Sequence, residues 1–296
     1  MVARLGDWLM QSVLPVASVI ALILVVWYGA AILMNGPQVK DRFARAGVTP
    51  TNAELVAATY AMERPVLPAP HQIAAEFADS VFGRAITSKR SLVYHAWVTL
   101  SATLAGFAAG VVLGLVLAIG IVEVRALEKG LMPWIIASQT IPILAIAPMI
   151  VVIFGTLGLT GLVPKAVISM YLSFFPVAIG MVKGLRAPDR LQLDLMRTYS
   201  ATPRDVLVKL RLPAATPFLF SGLKIAIAIA LVGAVVAELP TGATAGIGAR
   251  LLSGSYYGQT IQIWAALLMA ALIGVGLTGI VALIERVTLT LMGARP

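Results

Sequence analysis

From Ala96 to Val122, and again from Gly130 to Pro164, the chain carries no Asp, Glu, Lys or Arg. Few folds accept such runs. A helix rises 1.5 Å per residue, so about 20 apolar residues cross the ~30 Å of a bilayer's hydrocarbon. In lipid every backbone N–H and C=O must be paired internally, which leaves helices and closed barrels as spanning structures. Composition extends the argument to the whole chain. Soluble domains carry roughly 25% charged residues, whereas this chain carries 12%, with 59% hydrophobic residues among its 296 and a mean hydropathy of +0.94. One water-soluble core of this size cannot enclose that much apolar surface, so the solvent is lipid.

Charges punctuate the sequence well enough to count spans. The first covers Val13 to Met34, the second lies within Ala96 to Val122, and the third ends near Phe154. The fourth covers Ala166 to Val182, and the fifth runs from Ala214 to Ala237, interrupted only by Lys224. Leu251 to Ile284 holds a short surface segment and a sixth. The expected fold is therefore an all-α polytopic bundle of about six spans, one transmembrane domain over residues 1–296. The first apolar run is longer than the core of a cleaved signal and no small-residue site closes it, so it reads as a retained span.

Two connections matter. The loop over 35–91 is punctuated rather than slack. Thr51-Asn52-Ala53-Glu54 is a capping box, and Pro70 opens a helix that aligns Ile73, Phe77 and Val81 on one face. The loop over 183–213 holds seven Lys/Arg against three Asp between Lys183 and Arg211. Short basic loops stay cytoplasmic, which puts this loop and both termini inside and the 35–91 loop outside. The first loop also carries seven Lys/Arg, against five acids, but long loops follow the charge rule poorly.

Within the spans, Gly106, Gly110 and Gly114 recur every fourth residue, a spacing that lets two helix backbones approach closely. The partner is a helix of this chain or of a second subunit. Pro142 and Pro148 interrupt the third span, each removing a helix hydrogen bond. The freed carbonyls must face protein or a wet cavity, so this stretch is either a simple kink or a pathway lining. Ser138, Gln139 and Thr140 beside it, and Tyr171 and Ser173 in the fourth span, are the polar pathway candidates; packing and interhelical hydrogen bonding are their ordinary uses. Glu238 ends the fifth span ahead of Pro240 and Gly242, where it either sits at the outer mouth or caps a tight turn.

Several chemistries are excluded or disfavoured. There is no cysteine, so disulfides and thiolate sites are out. The two histidines, His71 and His95, have no ligand-like cluster around them in the sequence, so no metal site and no catalytic residue is expected. The net charge of +9 marks cytoplasmic loops rather than a nucleic-acid partner. No G-x-x-x-x-G-K-[ST] phosphate loop occurs.

The 183–213 loop is the most informative stretch. Pro188-Asp189 suits a helix start, and good helix formers run to about Tyr199. After a turn at Ser200-Ala201 a second helix starts, with Thr202 as cap, Pro203 at its first position and Asp205 at its third. Pro213 and Pro217 are expected to end this segment before the fifth span. Two rigid helices on one face suggest a docking surface. The charges at Arg197, Arg204, Asp205 and Lys209 suit a polar protein partner.

Asp194-Leu195-Met196-Arg197-Thr198-Tyr199-Ser200, nine residues, then Leu210-Arg211-Leu212-Pro213 resembles the EAA loop of bacterial ABC-importer permeases, E-A-A, three residues, G, nine residues, I-x-L-P. Asp194 stands at the Glu position and Ser200 at the Gly position. Leu195 and Met196 replace the two alanines. Ile141-Pro142 through Ile153-Phe154-Gly155, Glu238-Leu239-Pro240 with Gly246-Ile247-Gly248, and Leu67-Pro68-Ala69-Pro70 are similar to the nitrate, sulfonate, taurine and thiamine-precursor branch. The insert from Gly36 to Arg64 is longer than usual there.

The resemblance implies a type I importer permease in the bacterial inner membrane. Its partners would be a second permease subunit, a dimer of cytoplasmic ABC ATPases and a periplasmic substrate-binding protein. Asp194, Arg197, Ser200, Ala201, Thr202, Pro203, Arg204 and Asp205 would couple to the ATPase. ATP and Mg would sit in that partner, with no cofactor in this chain and no hydrolysis by it. A gradient-driven carrier is the alternative. It would show intramembrane ionisable groups, for which Glu238 and Lys224 are the candidates here. A membrane-embedded enzyme would show clustered His, Asp, Glu or Cys in its spans. The connection from Glu238 to Thr260 resembles permeases for pyrimidine-type or thiamine-precursor rings; a sulfonate-type solute is the other option.

Overall fold

The computed structural model describes residues 14–240 and 243–293, so Val13, Gly242 and both chain ends lie outside the described residues. Every regular element among those described is helical. In order these are α1 (Leu14–Arg45), α2 (Asn52–Tyr60), α3 (Pro70–Ala78), α4 (Leu92–Glu123), α5 (Arg125–Ser138), α6 (Ile143–Thr156), α7 (Leu162–Leu185), α8 (Arg190–Thr198), α9 (Pro203–Ala237), α10 (Ile247–Tyr256) and α11 (Thr260–Leu291). Five of them, α1, α4, α7, α9 and α11, are long and apolar enough to cross a membrane. The pair α5 and α6 makes a sixth span if it is counted as one broken crossing, bent by 100°.

The chain divides into two compact units, residues 1–85 with 251–268, and residues 86–250 with 269–296. In the first, α1 does not stop at Met34. It continues through Pro37 to Arg45, so the expected loop begins some ten residues late. Asn35 explains the extension. It is buried, its amide donates to Leu67 O at 2.8 Å, and its oxygen accepts from the N–H groups of Val66 and Leu67. Trp27 Nε1 adds a bond to Pro68 O at 3.0 Å. Together they hold the Leu67-Pro68-Ala69-Pro70 stretch against α1. The Thr51–Glu54 capping box is formed reciprocally at the start of α2. Pro70 occupies the first turn of α3, which buries Ile73 before a π turn over Asp79–Gly83.

The second unit is built on α7, which packs against both α4 and α9. Gly106, Gly110 and Gly114 of α4 face α7 of the same chain. A Cβ on Gly106 would collide with Ser169 and stand 2.6 Å from Ala166 O, and one on Gly114 would lie 2.8 Å from Phe174 O and Val177 Cβ. Gly222 of α9 approaches Pro176 O in the same way. Small residues thus bring three backbones close enough for dispersion to act along their length. Ala118, Ile121, Phe174, Val177, Met181, Leu185 and Ala215 fill the space between.

Pro213 and Pro217 do not end the loop segment. The helix that starts at Pro203 runs without a break to Ala237, 35 residues in all, with a π turn over Val206–Arg211. Proline removes a bond to the carbonyl four residues back and crowds that carbonyl. The wider π turn just before Pro213 rearranges the bonding there and keeps the helix continuous.

Candidate functional site

Two polar clusters of the second unit lie one at each end of α9. The first surrounds Glu238, which follows Ala237 and has no solvent exposure. Its Oε1 accepts from Lys165 Nζ at 3.1 Å, and its Oε2 accepts from Thr99 Oγ1 at 2.9 Å and from Gly248 N at 2.9 Å. Lys165 also donates to Ala245 O at 2.9 Å. Thr99 Oγ1 accepts from Ile247 N at 2.8 Å, and His95, one turn earlier on α4, accepts at Nδ1 from Gly246 N at 3.0 Å. The other ring nitrogen, Nε2, lies 2.9 Å from Lys89 O, and a carbonyl only accepts, so the Nε2–H tautomer is fixed.

The logic of this cluster is that of a helix start. Gly246, Ile247 and Gly248 supply consecutive amides at the beginning of α10, and such amides have no partner within their own helix. His95, Thr99 and Glu238 take one each. The carboxylate also faces the positive end of the α10 dipole. Gly246 holds φ +124, and a Cβ there would overlap the Glu238 carboxylate. Only glycine meets both demands. Glu238 thus has the role of a cap and clamp on the turn that follows α9.

Sequence reasoning missed half of this cluster. Lys165 precedes the expected fourth span at Ala166, but α7 begins at Leu162 and buries it. His95, with no cluster around it in the sequence, is drawn in by the Gly246 amide. The count of embedded ionisable groups also changes. Lys224, in the middle of α9, pairs with Glu285 of α11, and Glu238 pairs with Lys165, so neither of the two expected groups stands alone. The signal in the sequence was thin: a charge at the edge of an apolar run does not say on which side of the helix start it falls.

The remaining pathway candidates are spread out. Pro142 caps α6 at the break, while Pro148 is exposed inside α6. Ser138 and Thr140 bond back to carbonyls of Ile135 and Ala137 at the end of α5, and Gln139 donates to Ser138 Oγ at 3.2 Å. Tyr171 donates to Ser138 O, tying α7 to that break. Ser173 is fully buried between α4 and α7, with Met170 O and Gly106 O as its acceptors.

At the other end of α9, the 183–213 loop is a helix, a turn and the first turns of α9. Asp189 caps α8 through Gln192 N at 2.8 Å, with Gln192 answering reciprocally. Asp194 and Arg197 pair at 2.9 Å along it. Ser200 follows with φ 51, and Ala201 N donates to Met196 O at 3.0 Å, closing the helix in a Schellman-type turn. This explains why the EAA pattern carries glycine there. Thr202 then caps α9: its hydroxyl accepts from Asp205 N at 3.2 Å while Asp205 Oδ2 takes the Thr202 N–H and O–H. Pro203 is the first helical residue, Arg204 is exposed, and Lys209 pairs with Asp205 at 2.6 Å. Arg211–Glu123 and Arg186–Glu128 staple the base of the loop. Charge is not the whole of this surface. No residue of α8 is buried, and Leu191, Leu195 and Tyr199 stand 56–78% exposed at i, i+4 and i+8, an apolar stripe on one face. The polar surface expected from the charges is therefore amphipathic.

Residues 110–288 match the model of a protein family described as binding-protein-dependent transport system inner membrane component. The chain belongs to this family. A probable ABC transporter permease of Haemophilus influenzae is 37% identical over 183 residues, 62% of this chain and 73% of its own length. The formylaminopyrimidine transport permease ThiX of Halalkalibacterium halodurans is 33% identical over 184 residues, covering 62% of this chain and 68% of that protein. The riboflavin transport system permease RibX of Chloroflexus aurantiacus is 32% identical over 221 residues, 75% and 78% of the two chains. This is the permease subunit of an ABC importer, a multi-pass inner-membrane protein of a class that works with ATPase and substrate-binding partners. The matched residues include both ends of α9.

Proposed function

We propose that this chain is one of two permease subunits enclosing a solute pathway, each seated on a cytoplasmic ABC ATPase that holds ATP and Mg. In this reading the 183–213 loop is cytoplasmic, as its basic charge favours, both termini are cytoplasmic and the 35–91 loop is periplasmic. Asp194, Arg197, Ser200, Ala201, Thr202, Pro203, Arg204 and Asp205 form the coupling element, with the apolar stripe of α8 as its contact face. The observation that carries the reading is the unbroken α9. A helix of 35 residues is about 52 Å long at 1.5 Å per residue. It links the capped loop directly to Glu238 and the clamped turn, so a push at Thr202 moves the far end without a hinge.

The solute is a small uncharged nitrogen heterocycle of the pyrimidine kind. The embedded cations Lys165 and Lys224 are each matched by a carboxylate, which leaves them a poor lodging for a nitrate or sulfonate. Two of the relatives are named for formylaminopyrimidine and riboflavin, both nitrogen heterocycles.

Reconstitution tests this. Vesicles carrying the permease, its ATPase and its binding protein should take up labelled aminopyrimidine only with ATP. A cysteine at Thr202 should resist an impermeant thiol reagent in intact cells, while one at Thr51 should react. Uptake without the ATPase subunit would make a gradient-driven carrier the better account.

A further inference from the structure

Beside the Glu238 cluster the second unit contains a cavity of about 620 Å³, within the size range of small-molecule sites. Trp97 and Ser101 of α4 form one wall. Thr160 and Lys165 form another, and Thr244 and Ala245 of the clamped turn form a third. On α4 the lining runs from Trp97 to Ser101, about one helical turn or roughly 6 Å.

The chemistry of the walls is selective. Lys165 Nζ has three N–H donors. One goes to Glu238 and one to Ala245 O, leaving the third without an acceptor among the described residues in a side chain that lines the cavity. The charge of that ammonium is already balanced by Glu238 at 3.1 Å. It therefore offers a hydrogen bond to a neutral acceptor while holding no net charge for a free anion. Trp97 is 68% exposed and supplies a flat face of the kind on which rings stack. Thr160 and Thr244 add hydroxyls to the lining.

We infer that this cavity binds a planar nitrogen heterocycle bearing a ring carbonyl, with the carbonyl on Lys165 Nζ and the ring against Trp97. The inference rests on the reading of the chain as an importer permease for such solutes and assigns their station to the Glu238 end of α9. A ring bound there touches α4, α7 and the clamped turn together, so it senses any movement that α9 transmits to its end.

The test uses the full chain in lipid nanodiscs, with riboflavin as a fluorescent probe and cytosine and taurine as competitors. Riboflavin should quench tryptophan emission saturably, cytosine should displace it and taurine should not. Ser101→Phe, which puts a ring into the cavity from α4, should weaken binding at least tenfold. Thr244→Trp should do the same from the clamped turn, so the result does not hang on one variant's folding. Unchanged affinity in both variants would overturn the inference. So would displacement by phosphocholine but not cytosine, which would make the cavity a lipid headgroup site, or the absence of saturable binding to the native chain. Should ATP-driven uptake of a pyrimidine persist in either case, the site assignment falls while the importer reading stands.

Discussion

The Lys165–Glu238 pair gives the most direct test of what clamps the far end of α9. Three variants are needed: Lys165→Met, Glu238→Gln and the two together. Glu238 is fully buried and Lys165 is 9% exposed, so removing the ammonium leaves a carboxylate with only Thr99 and Gly248 as donors. Breaking one partner of a buried pair typically costs about 3–5 kcal/mol, whereas replacing both is often close to neutral. Glu238→Gln keeps an acceptor for Thr99 and Gly248 but points an amide N–H at the Lys165 ammonium. In the double variant that amide points into the place the ammonium has left. The lost bond to Ala245 O remains as a cost of about 1 kcal/mol. Each single change should therefore lower the folded-to-unfolded ratio by about 10²- to 10³-fold or more, and the double variant should recover most of it. The measurement is SDS-driven unfolding of the full chain, with the monodisperse fraction after heating as a second readout. Single variants within 1 kcal/mol of wild type, or a double variant as damaged as the sum of the two, would refute the clamp. Glu238 would then be better read as a residue of the outer mouth.

Three further outcomes are expected. Thr202→Gly with Asp205→Gly removes a cap contribution of about 1 kcal/mol, too little to prevent insertion, but transport and the stimulation of ATP hydrolysis by binding protein should fall steeply; undiminished transport would count against the coupling role. Ser200→Gly relieves a left-handed strain of about 1 kcal/mol and should slow amide exchange across α8 and the following turn, with faster exchange contradicting the turn geometry. The Thr51 N–H and O–H hold the Glu54 carboxyl below its ordinary value. A depressed carboxylate stabilises above its unfolded pKa and loses that contribution as pH falls through the folded one, so a ¹³C-labelled Glu54 should titrate below 4.5 and Thr51→Val should move its midpoint upward.

Much of the local structure was legible in the residues alone. Charge-free runs located the spans because burying a lone charge in lipid is costly. The caps at Thr51, Asp189 and Thr202 announced helix starts because three or four adjacent residues suffice to satisfy the free amides. The Ser200 turn was readable for the same reason. What the sequence could not show were contacts whose partners are far apart. Lys165 and Glu238 are separated by 73 residues, and neither states its partner. Whether Lys165 lies inside or outside its span depends on the carboxylate that compensates it. Asn35 looked like the first loop residue, yet the carbonyl and amides of a segment over 30 residues away draw it into α1. Pro213 looked like a stop, and by local rules it is one. The Leu212–Ala237 part of α9 is held against α7, and a π turn over Val206–Arg211 carries the helix into it without a break, so the loop helix and the span are one rod. Sequence by itself determined which segments are helical and where most begin. Tertiary structure decided which helices continue, which charges are paired and where the chain encloses a cavity, because those outcomes are set by neighbours that only the fold brings together.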